Sequence, residues 1–184
     1  MDRAKYNEFM KKVCVLVDTR ERENKHILDA LDKYGVKVER RKLDYGDYSF
    51  TVDNRDFSMS CVVERKANVD ELYQNTMQDR GRIEKEFEAA STLSNEFTLL
   101  IECVDSWEAL RQYEVPDWQM AQNPQRVVKD IGNHVHNTLK CWEPDSRYGF
   151  RVEFVPDRRK TAGRLLEVFY YYWYNYKKLT SARR

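Results

Sequence analysis

The chain has 184 residues, a length that fits one domain with a substantial core. Charged residues make up 34% and hydrophobic residues 41%, and the formal net charge is only +1. This composition predicts a folded protein with a heavily charged surface, in which local patches decide any nucleic-acid binding. No apolar run reaches the roughly 18–20 residues of a membrane span, and the charged N-terminus lacks the apolar core of a secretion signal. We therefore expect a cytoplasmic protein that does not bind membranes.

The first part of the chain predicts strands, one helix and a hairpin. Residues 13–18, VCVLVD, are a β-branched apolar run typical of a buried strand that ends in Asp18. Apolar residues then recur at helical spacing, which predicts a helix. Gly35 is expected to end this helix. An alternating strand is expected over 36–43, and a hairpin over 46–52 and 57–64 with its turn at 53–56.

The second part predicts helices alternating with two more strands. Asn68 and Glu71 have the spacing of a capping box, and Gly81 marks a break before the helical pattern resumes. The remaining expectations are a strand at 97–104, a short helix capped by Ser106, a helix opened by Asn123-Pro124, a strand at 149–156 and a last helix from Thr161. This order predicts an α/β domain with a mixed central sheet flanked by helices.

Acidic residues stand where the predicted strands begin or end. Glu64 and Lys66 are two apart on a strand, so both point to one face while Arg65 points away. Asp47 begins the partner strand of the hairpin and can lie roughly opposite Glu64, in a register that the sequence leaves open. Asp18 ends a neighbouring strand, and Glu21 follows it by one turn. Four carboxylates and one lysine can therefore meet at one end of the sheet.

Clustered carboxylates repel one another and raise each other's pKa unless a cation lies among them. Oxygen ligands of this kind suit Mg²⁺, which can neutralise a scissile phosphate and acidify a bound water. The lysine could stabilise developing negative charge or help to orient and deprotonate the attacking water. Each motif alone is ordinary, since Glu-x-Lys is usually a solvated face and Gly-Asp a common turn. It is the ordered set that predicts phosphodiester hydrolysis.

Three segments of the sequence carry these residues: Val17-Asp18-Thr19-Arg20-Glu21, Leu43-Asp44-Tyr45-Gly46-Asp47-Tyr48 and Val63-Glu64-Arg65-Lys66-Ala67-Asn68-Val69-Asp70. Together they resemble the nuclease domain of XPF-type structure-specific endonucleases. The signature of that family is Gly-Asp, a spacer, Glu-Arg-Lys, three residues and Asp, and every element is present in order. Looser similarity continues through Asp79-Arg80-Gly81-Arg82, residues 97–102 and residues 150–176.

The resemblance implies a restriction-endonuclease-like fold and DNA incision that depends on Mg²⁺ or Mn²⁺. Carried over by position, the catalytic residues would be Asp47, Glu64 and Lys66. The metal would be held by Asp18, Glu21, Asp47, Glu64 and the backbone carbonyl of Arg65. Asp70 would cap or orient the helix that follows, where a negative charge is also favourable.

The sequence departs from the family in its domain organisation. XPF-type enzymes usually carry a tandem helix-hairpin-helix domain, sometimes with a helicase, and nothing in this sequence resembles either. We expect a single nuclease domain over 1–184, with its core at about 13–179 and a possible insertion at about 105–122. A stand-alone nuclease resembles bacterial or phage versions, and its preference for flaps or forks is open.

The expected partners are DNA and a second copy of the chain. Arg20, Arg22, Arg80 and Arg82 are candidate phosphate contacts, although any one of them could be a solvated surface cation. The aromatic run at 169–176 is apolar on more sides of its helix than one core contact requires. Deep packing in the monomer, a homodimer interface and base stacking are the three possible explanations, and we favour the homodimer.

The leading hypothesis is a metal-dependent DNA endonuclease acting on branched DNA in replication, repair or recombination. One alternative is a catalytically silent DNA-binding or scaffold subunit, because the family pairs active with inactive domains. The other is a nuclease of the same fold with a different task, such as a junction resolvase or a defence enzyme.

Overall fold

The computed structural model describes residues 2–93, 96–122, 130–143 and 148–181. It has a central mixed sheet with helices on both faces. The strands are β1 Val13–Val17, β2 Lys37–Arg40, β3 Tyr48–Val52, β4 Arg55–Asp56, β5 Cys61–Lys66, β6 Glu96–Glu102 and β7 Arg151–Val155. The helices are α1 Arg3–Met10, α2 Lys25–Lys33, α3 Val69–Met77, α4 Arg80–Leu93, α5 Trp107–Arg111, α6 Asp117–Gln122, α7 Ile131–Trp142 and α8 Thr161–Ser181, which follows a 3-10 turn at Arg158–Lys160.

The strand directions bring several chain segments to one edge of the sheet. The order is β2-β1-β3-β5-β6-β7, with β4 paired to β3. Neighbouring strands are parallel except at β3, which is antiparallel to β1, β4 and β5. The carboxyl ends of β1, β5 and β6 therefore meet the start of β3. We call this the acidic edge, because Asp18, Asp47, Glu64 and Glu102 lie at or beside these strand ends.

Each face of the sheet has its own apolar core. On one face α1, α2 and α8 pack on β1 and β3, and the rings of Phe50 and Phe169 stack with centroids 4.8 Å apart. On the other face α3, α4, α5 and α7 pack on β5 and β6, and Phe87 meets Trp142 edge to face at 5.8 Å. Burial of each large side chain contributes roughly 1.5–3 kcal/mol, so both cores hold the sheet rigid beneath the acidic edge.

Most of the predicted element boundaries are confirmed. The Asn68 side chain accepts a hydrogen bond from the Glu71 backbone at 2.8 Å and begins α3, as the capping-box spacing predicts. Ser106 caps α5 in the same way, and Gly35 ends α2 with a φ of +68°. The break predicted at Gly81 is wrong, because the chain turns before α4 starts at Arg80, and Gly81 is helical.

The hairpin prediction also holds, with its turn tighter than expected. Asp53 and Asn54 take positive φ values of 50° and 63°, and the short β4 pairs back on β3 before β5 begins.

The predicted helix start at Asn123-Pro124 lies outside the described residues. Across the part of the chain that the structure describes, none of the helices has the length and apolarity needed to span a bilayer.

Candidate active site

The pairing of β3 with β5 places Asp47 opposite Glu64. Tyr48 is the register partner of Val63, and the Asp47 backbone N–H donates to the Val63 carbonyl at 2.9 Å. One step further towards the acidic edge, Asp47 and Glu64 therefore face each other. The approximate pairing expected from the sequence is the one in the structure.

The surroundings of Asp47 disfavour the charged form of its carboxyl group. Burial raises its pKa well above the ordinary value, and the charge of Glu64 raises it further. The hydrogen bond that its Oδ2 accepts from the Arg65 backbone N–H, at 2.8 Å, opposes these effects only in part. A cation placed between Asp47 and Glu64 would relieve the repulsion.

Lys66 supplies one positive charge to this pair. Its Nζ lies 2.8 Å from Glu64 Oε1 and 3.7 Å from Glu71 Oε1. Burial by itself lowers the pKa of Lys66, but the two glutamates outweigh burial and leave the pKa raised. The side chain is therefore a protonated ammonium that can stabilise negative charge beside the two carboxylates.

Asp18 is fully buried, and its carboxylate is occupied by hydrogen bonds. Oδ1 accepts from the backbone N–H and Nε of Arg20 at 2.8 and 2.6 Å, and Oδ2 accepts from Arg20 Nη2 and the Leu43 backbone at 3.2 and 2.6 Å. Burial raises the pKa of Asp18, but these bonds outweigh it and lower the pKa. Asp18 thus holds Arg20 and the backbone at Leu43, and the metal-binding role expected from its place in the sequence stays a prediction.

Glu21 lies on the opposite face of β5 from Glu64. Its Oε1 accepts from Arg65 Nη1 at 2.8 Å, and burial raises its pKa despite the neighbouring guanidinium. Arg65 also binds Glu102, since its Nη2 lies 2.8 Å from Glu102 Oε2. The Arg65 side chain thus points away from Glu64 and Lys66, as the strand alternation predicts.

Asp70 has a structural partner in the segment at 105–122. The Tyr113 hydroxyl donates to Asp70 Oδ2 at 2.6 Å, which ties the loop after α5 to the first turn of α3. Asp70 also stands in the first turn of α3, where its charge favours the helix.

The four candidate DNA-binding arginines have different surroundings. Arg20 and Arg82 line a cleft of about 180 Å³ that opens beside Asp47 and Glu64. Arg82 pairs with Glu86 at 2.9 Å, and Arg80 pairs with Glu84 at 3.0 Å and lies over the Trp142 ring. Arg22 is exposed, next to Glu21 in sequence. The structure brings Arg20 and Arg82 to the cleft and places Arg80 outside its lining.

The donor atoms at the acidic edge fit a hard divalent cation. Asp47 uses Oδ2 for the Arg65 backbone and Glu64 uses Oε1 for Lys66, which leaves one further oxygen on each carboxylate. Within the described residues, no three Asp, Glu, His or Cys side chains are arranged as a metal cage. Mg²⁺ commonly uses one or two carboxylates, water and substrate phosphate, so two carboxylates suffice.

Two acidic residues at this edge were not identified as site residues from the sequence. Glu71 contacts Lys66, and the capping-box spacing had identified it only as a helix-start residue. Glu102 ends β6, and its position after an apolar strand is the same signal that had singled out Asp18. Its importance depends on partners from three other elements, which the sequence does not reveal.

The mixed sheet, with acids at one end of its strands, defines a protein of the α/β class. The family model described as the ERCC4 domain matches residues 17–166. Because this match covers most of the chain, the protein belongs to the ERCC4 domain family and is an XPF-type nuclease domain. The resemblance found in the sequence is thereby confirmed, and the family supports a DNA nuclease-type function.

Solved structures show the same fold. XPF from Aeropyrum pernix is 20% identical with a TM-score of 0.59, and the match covers 85% of this chain and 59% of that chain. XPF from Aeropyrum pernix in complex with DNA is also 20% identical, with a TM-score of 0.56, covering 93% of this chain and 66% of that chain. The predicted restriction-endonuclease-like α/β fold is confirmed. No curated protein sequence matches the chain.

Proposed function

We propose that this protein is a DNA endonuclease that depends on Mg²⁺ or Mn²⁺ and hydrolyses phosphodiester bonds at the acidic edge. The observation that carries the proposal is the Asp47–Glu64 pair with the Lys66 ammonium 2.8 Å from Glu64. The family membership and the similarity to XPF from Aeropyrum pernix in complex with DNA support the same conclusion.

The roles of the side chains follow from their charges. Asp47 and Glu64 would hold the cation, with the Arg65 carbonyl as a further ligand. When bound, such a cation neutralises the phosphate and lowers the pKa of water. Lys66, which stays protonated, stabilises the charge that develops on the phosphate during attack. Asp18 positions Arg20, and Glu21 acts with Arg65 beside the cation rather than as one of its main ligands.

DNA would approach over the cleft lined by Arg20 and Arg82. These guanidiniums can contact phosphates on either side of the scissile bond, and Arg22 and Arg80 would extend the contact. Binding of this kind weakens steeply with salt. We propose branched DNA, such as a flap or fork met in replication, repair or recombination, as the substrate.

Two copies of the chain would pair through the outer face of α8. Tyr171 and Leu179 are about half and two-thirds exposed there, although the neighbouring Phe169, Tyr170 and Trp173 are buried in the monomer core. A groove of about 530 Å³ runs between this face and the edge strand β7. Aromatic residues are enriched at interface cores, which supports a homodimer on this surface.

The test is cleavage of end-labelled 3′-flap, fork, four-way-junction and plain duplex DNA with Mg²⁺ or Mn²⁺. We expect metal-dependent cutting by the wild type and loss of cutting in a folded Asp47→Asn variant. The control variant is Asp29→Asn, which should keep wild-type activity. Asp29 is an exposed carboxylate that forms an ion pair with Lys25 in the described part of the chain. The ranking of substrates separates flap endonuclease from resolvase.

A wild type that binds all four DNAs but cuts none would contradict the proposal. That outcome would favour the silent DNA-binding or scaffold subunit. The intact set of Asp47, Glu64 and Lys66 argues against it, because a subunit without catalysis does not require these charges to be held together.

A further inference from the structure

Glu102 joins three elements to the strand that carries the catalytic residues. Its carboxylate has no exposed surface. Oε2 accepts from Arg65 Nη2 at 2.8 Å, and Oε1 accepts from the Thr161 hydroxyl at 2.5 Å and lies 2.7 Å from His26 Nε2. Glu102 itself belongs to β6, while these partners belong to β5, α8 and α2.

Arg65 connects this buried carboxylate to the candidate active site. The side chain of Arg65 is only 2% exposed, and its two terminal nitrogens are held by Glu21 and Glu102 at 2.8 Å each. The backbone N–H of the same residue donates to Asp47 Oδ2 at 2.8 Å. The guanidinium therefore holds the Glu21 carboxylate, and it belongs to the same residue whose peptide N–H orients Asp47.

A buried ion pair is not required for stability alone. Apolar residues of similar volume often serve a core equally well, since the desolvation of two charges offsets their attraction. The pairing of Glu102 with Arg65 does something that an apolar pair cannot do, because it sets the direction of a planar guanidinium that holds a second carboxylate. The Glu102–Arg65 pair therefore affects the positions of side chains at the acidic edge more than the packing of the core.

We propose that Glu102 is a positioning residue for the hydrolytic site, acting through Arg65 on Asp47 and Glu21. This inference rests on the proposed nuclease function, and it assigns no contact between Glu102 and the DNA or the metal. Partners of metal ligands usually contribute about 10–100-fold to metal affinity or activity. We expect an effect of that size from Glu102.

The experiment compares Glu102→Gln and Glu102→Asp with the wild type and with Val135→Ala. Gln keeps the shape but loses the charge, and Asp keeps the charge with a shorter reach. Val135 is buried in the other core, away from Arg65, so its truncation destabilises the protein without touching the network. For each folded protein, kcat and KM are measured on the best DNA substrate, and Mn²⁺ binding is measured by electron paramagnetic resonance without DNA.

We expect Glu102→Gln to lower kcat and weaken Mn²⁺ binding by about 10–100-fold, with KM for DNA within about two-fold of the wild type. Glu102→Asp should recover part of both, and Val135→Ala should change neither. Unchanged kcat and Mn²⁺ affinity in Glu102→Gln would overturn the proposal, as would a change in KM alone. If Glu102→Gln does not fold, the same criteria apply to Glu102→Asp.

The two readouts separate this inference from the proposed function. A wild type that binds Mn²⁺ but cuts no DNA would contradict the nuclease, and a loss of Mn²⁺ binding in Glu102→Gln would still support the positioning role. A wild type that cuts DNA equally well with Gln at this position leaves the nuclease intact and overturns only the role of Glu102. A wild type that neither binds Mn²⁺ nor cuts DNA overturns both.

Discussion

Lys66 Nζ lies 2.8 Å from Glu64 Oε1, and the two side chains share one face of β5. Arg65, between them in sequence, points to the other face and binds Glu21 and Glu102. One short strand end thus supplies a reactive face and a supporting face. Changes on the two faces should therefore have different effects, and the following predictions use that difference.

Under the proposed function, replacing Lys66 by Met should lower kcat by about 10²–10³-fold, because it removes a positive charge from beside the reacting phosphate. DNA binding should persist, since the proposed phosphate contacts of the arginines do not involve Lys66. Because its pKa is raised above the ordinary value of about 10.4, Lys66 should produce no fall in wild-type activity up to about pH 10. Single-turnover cleavage across pH 6–10 checks both statements, with the exposed Lys33→Met as control. An activity loss centred near pH 8 in wild type but not in Lys66→Arg would assign a proton-transfer role to the lysine instead.

Replacing Asp47 by Asn should stabilise the metal-free protein at neutral pH. The folded protein raises the pKa of Asp47, so it holds the proton more tightly than the unfolded chain does. The wild type therefore loses stability as the pH rises from about 3.9 through the raised pKa, and Asn removes this loss. Urea unfolding at several pH values should show a gain for Asp47→Asn that grows with pH. Added Mg²⁺ should stabilise the wild type and not the variant. A variant that is less stable than the wild type at pH 8 without metal contradicts this interpretation.

Replacing Asp18 by Asn should destabilise the fold by about 1–3 kcal/mol, because several charge-assisted hydrogen bonds to one buried carboxylate are weakened. The pKa of Asp18 is lowered in the folded state, so its contribution is present above the unfolded pKa of about 3.9 and is lost as the pH falls through the folded value. Wild type and Asp18→Asn should accordingly differ in urea midpoint at pH 7 and converge towards pH 2. If Asp18 were chiefly a metal ligand, the variant would instead lose Mn²⁺ binding with little change in metal-free stability.

Replacing Gly132 by Ala should destabilise the protein by about 1–3 kcal/mol through overpacking. A Cβ at this position would clash with the Leu110 carbonyl and lie 2.7 Å from the Tyr113 backbone nitrogen, so α5 and α7 would have to separate. Gly163→Ala is the matched control, because nothing lies within 4 Å of a Cβ there and helical Ala is favoured over Gly. Urea unfolding should show a loss for the first variant and no loss for the second. Equal stability of the two would mean that the α5–α7 contact is looser than described.

Replacing Tyr171 and Leu179 by Glu should convert the proposed homodimer into a monomer. The charges would be placed on the exposed face of α8, where two copies are expected to meet, while the buried face of the helix is unchanged. Analytical ultracentrifugation at several concentrations measures the change, and Tyr34→Glu, an exposed tyrosine on α2's C-cap, is the control. A wild type that sediments as a monomer at all concentrations would exclude this interface.

The sequence predicted those features that follow from local chemistry. β-branched runs, turn residues and caps located β1, the hairpin and the start of α3, and strand alternation separated Lys66 from Arg65. Helix α1 was missed, because its few apolar residues gain their stability from packing of Phe9 and Tyr6 on Tyr170 in α8. Such long-range contacts leave no periodic signal in a helix of this length.

The sequence predicted which residues form the candidate site better than it predicted which partners they bind. The acids at strand ends were identified, since strand direction and alternation bring them to one edge. The arginine partner of each acid could not be predicted. Arg20 could equally have pointed to solvent, and the long Arg65 side chain could have bent towards the face that carries Glu64 and Lys66. The partners of Glu102 come from sequence positions as distant as His26 and Thr161, so only the fold reveals them.

The pairing of Tyr48 with Val63 also determines where the chain can change length in evolution. An extra residue in the loop between β4 and β5 would be absorbed there, because the loop precedes the paired positions. An extra residue between Val63 and Glu64 would reverse the alternation, so that Glu64 would point to the supporting face and Arg65 would take the place of Lys66 on the reactive face. Natural variation in length is therefore expected in the spacer that separates Gly46-Asp47 from Glu64, and an inserted or deleted residue within β5 itself should be incompatible with catalysis.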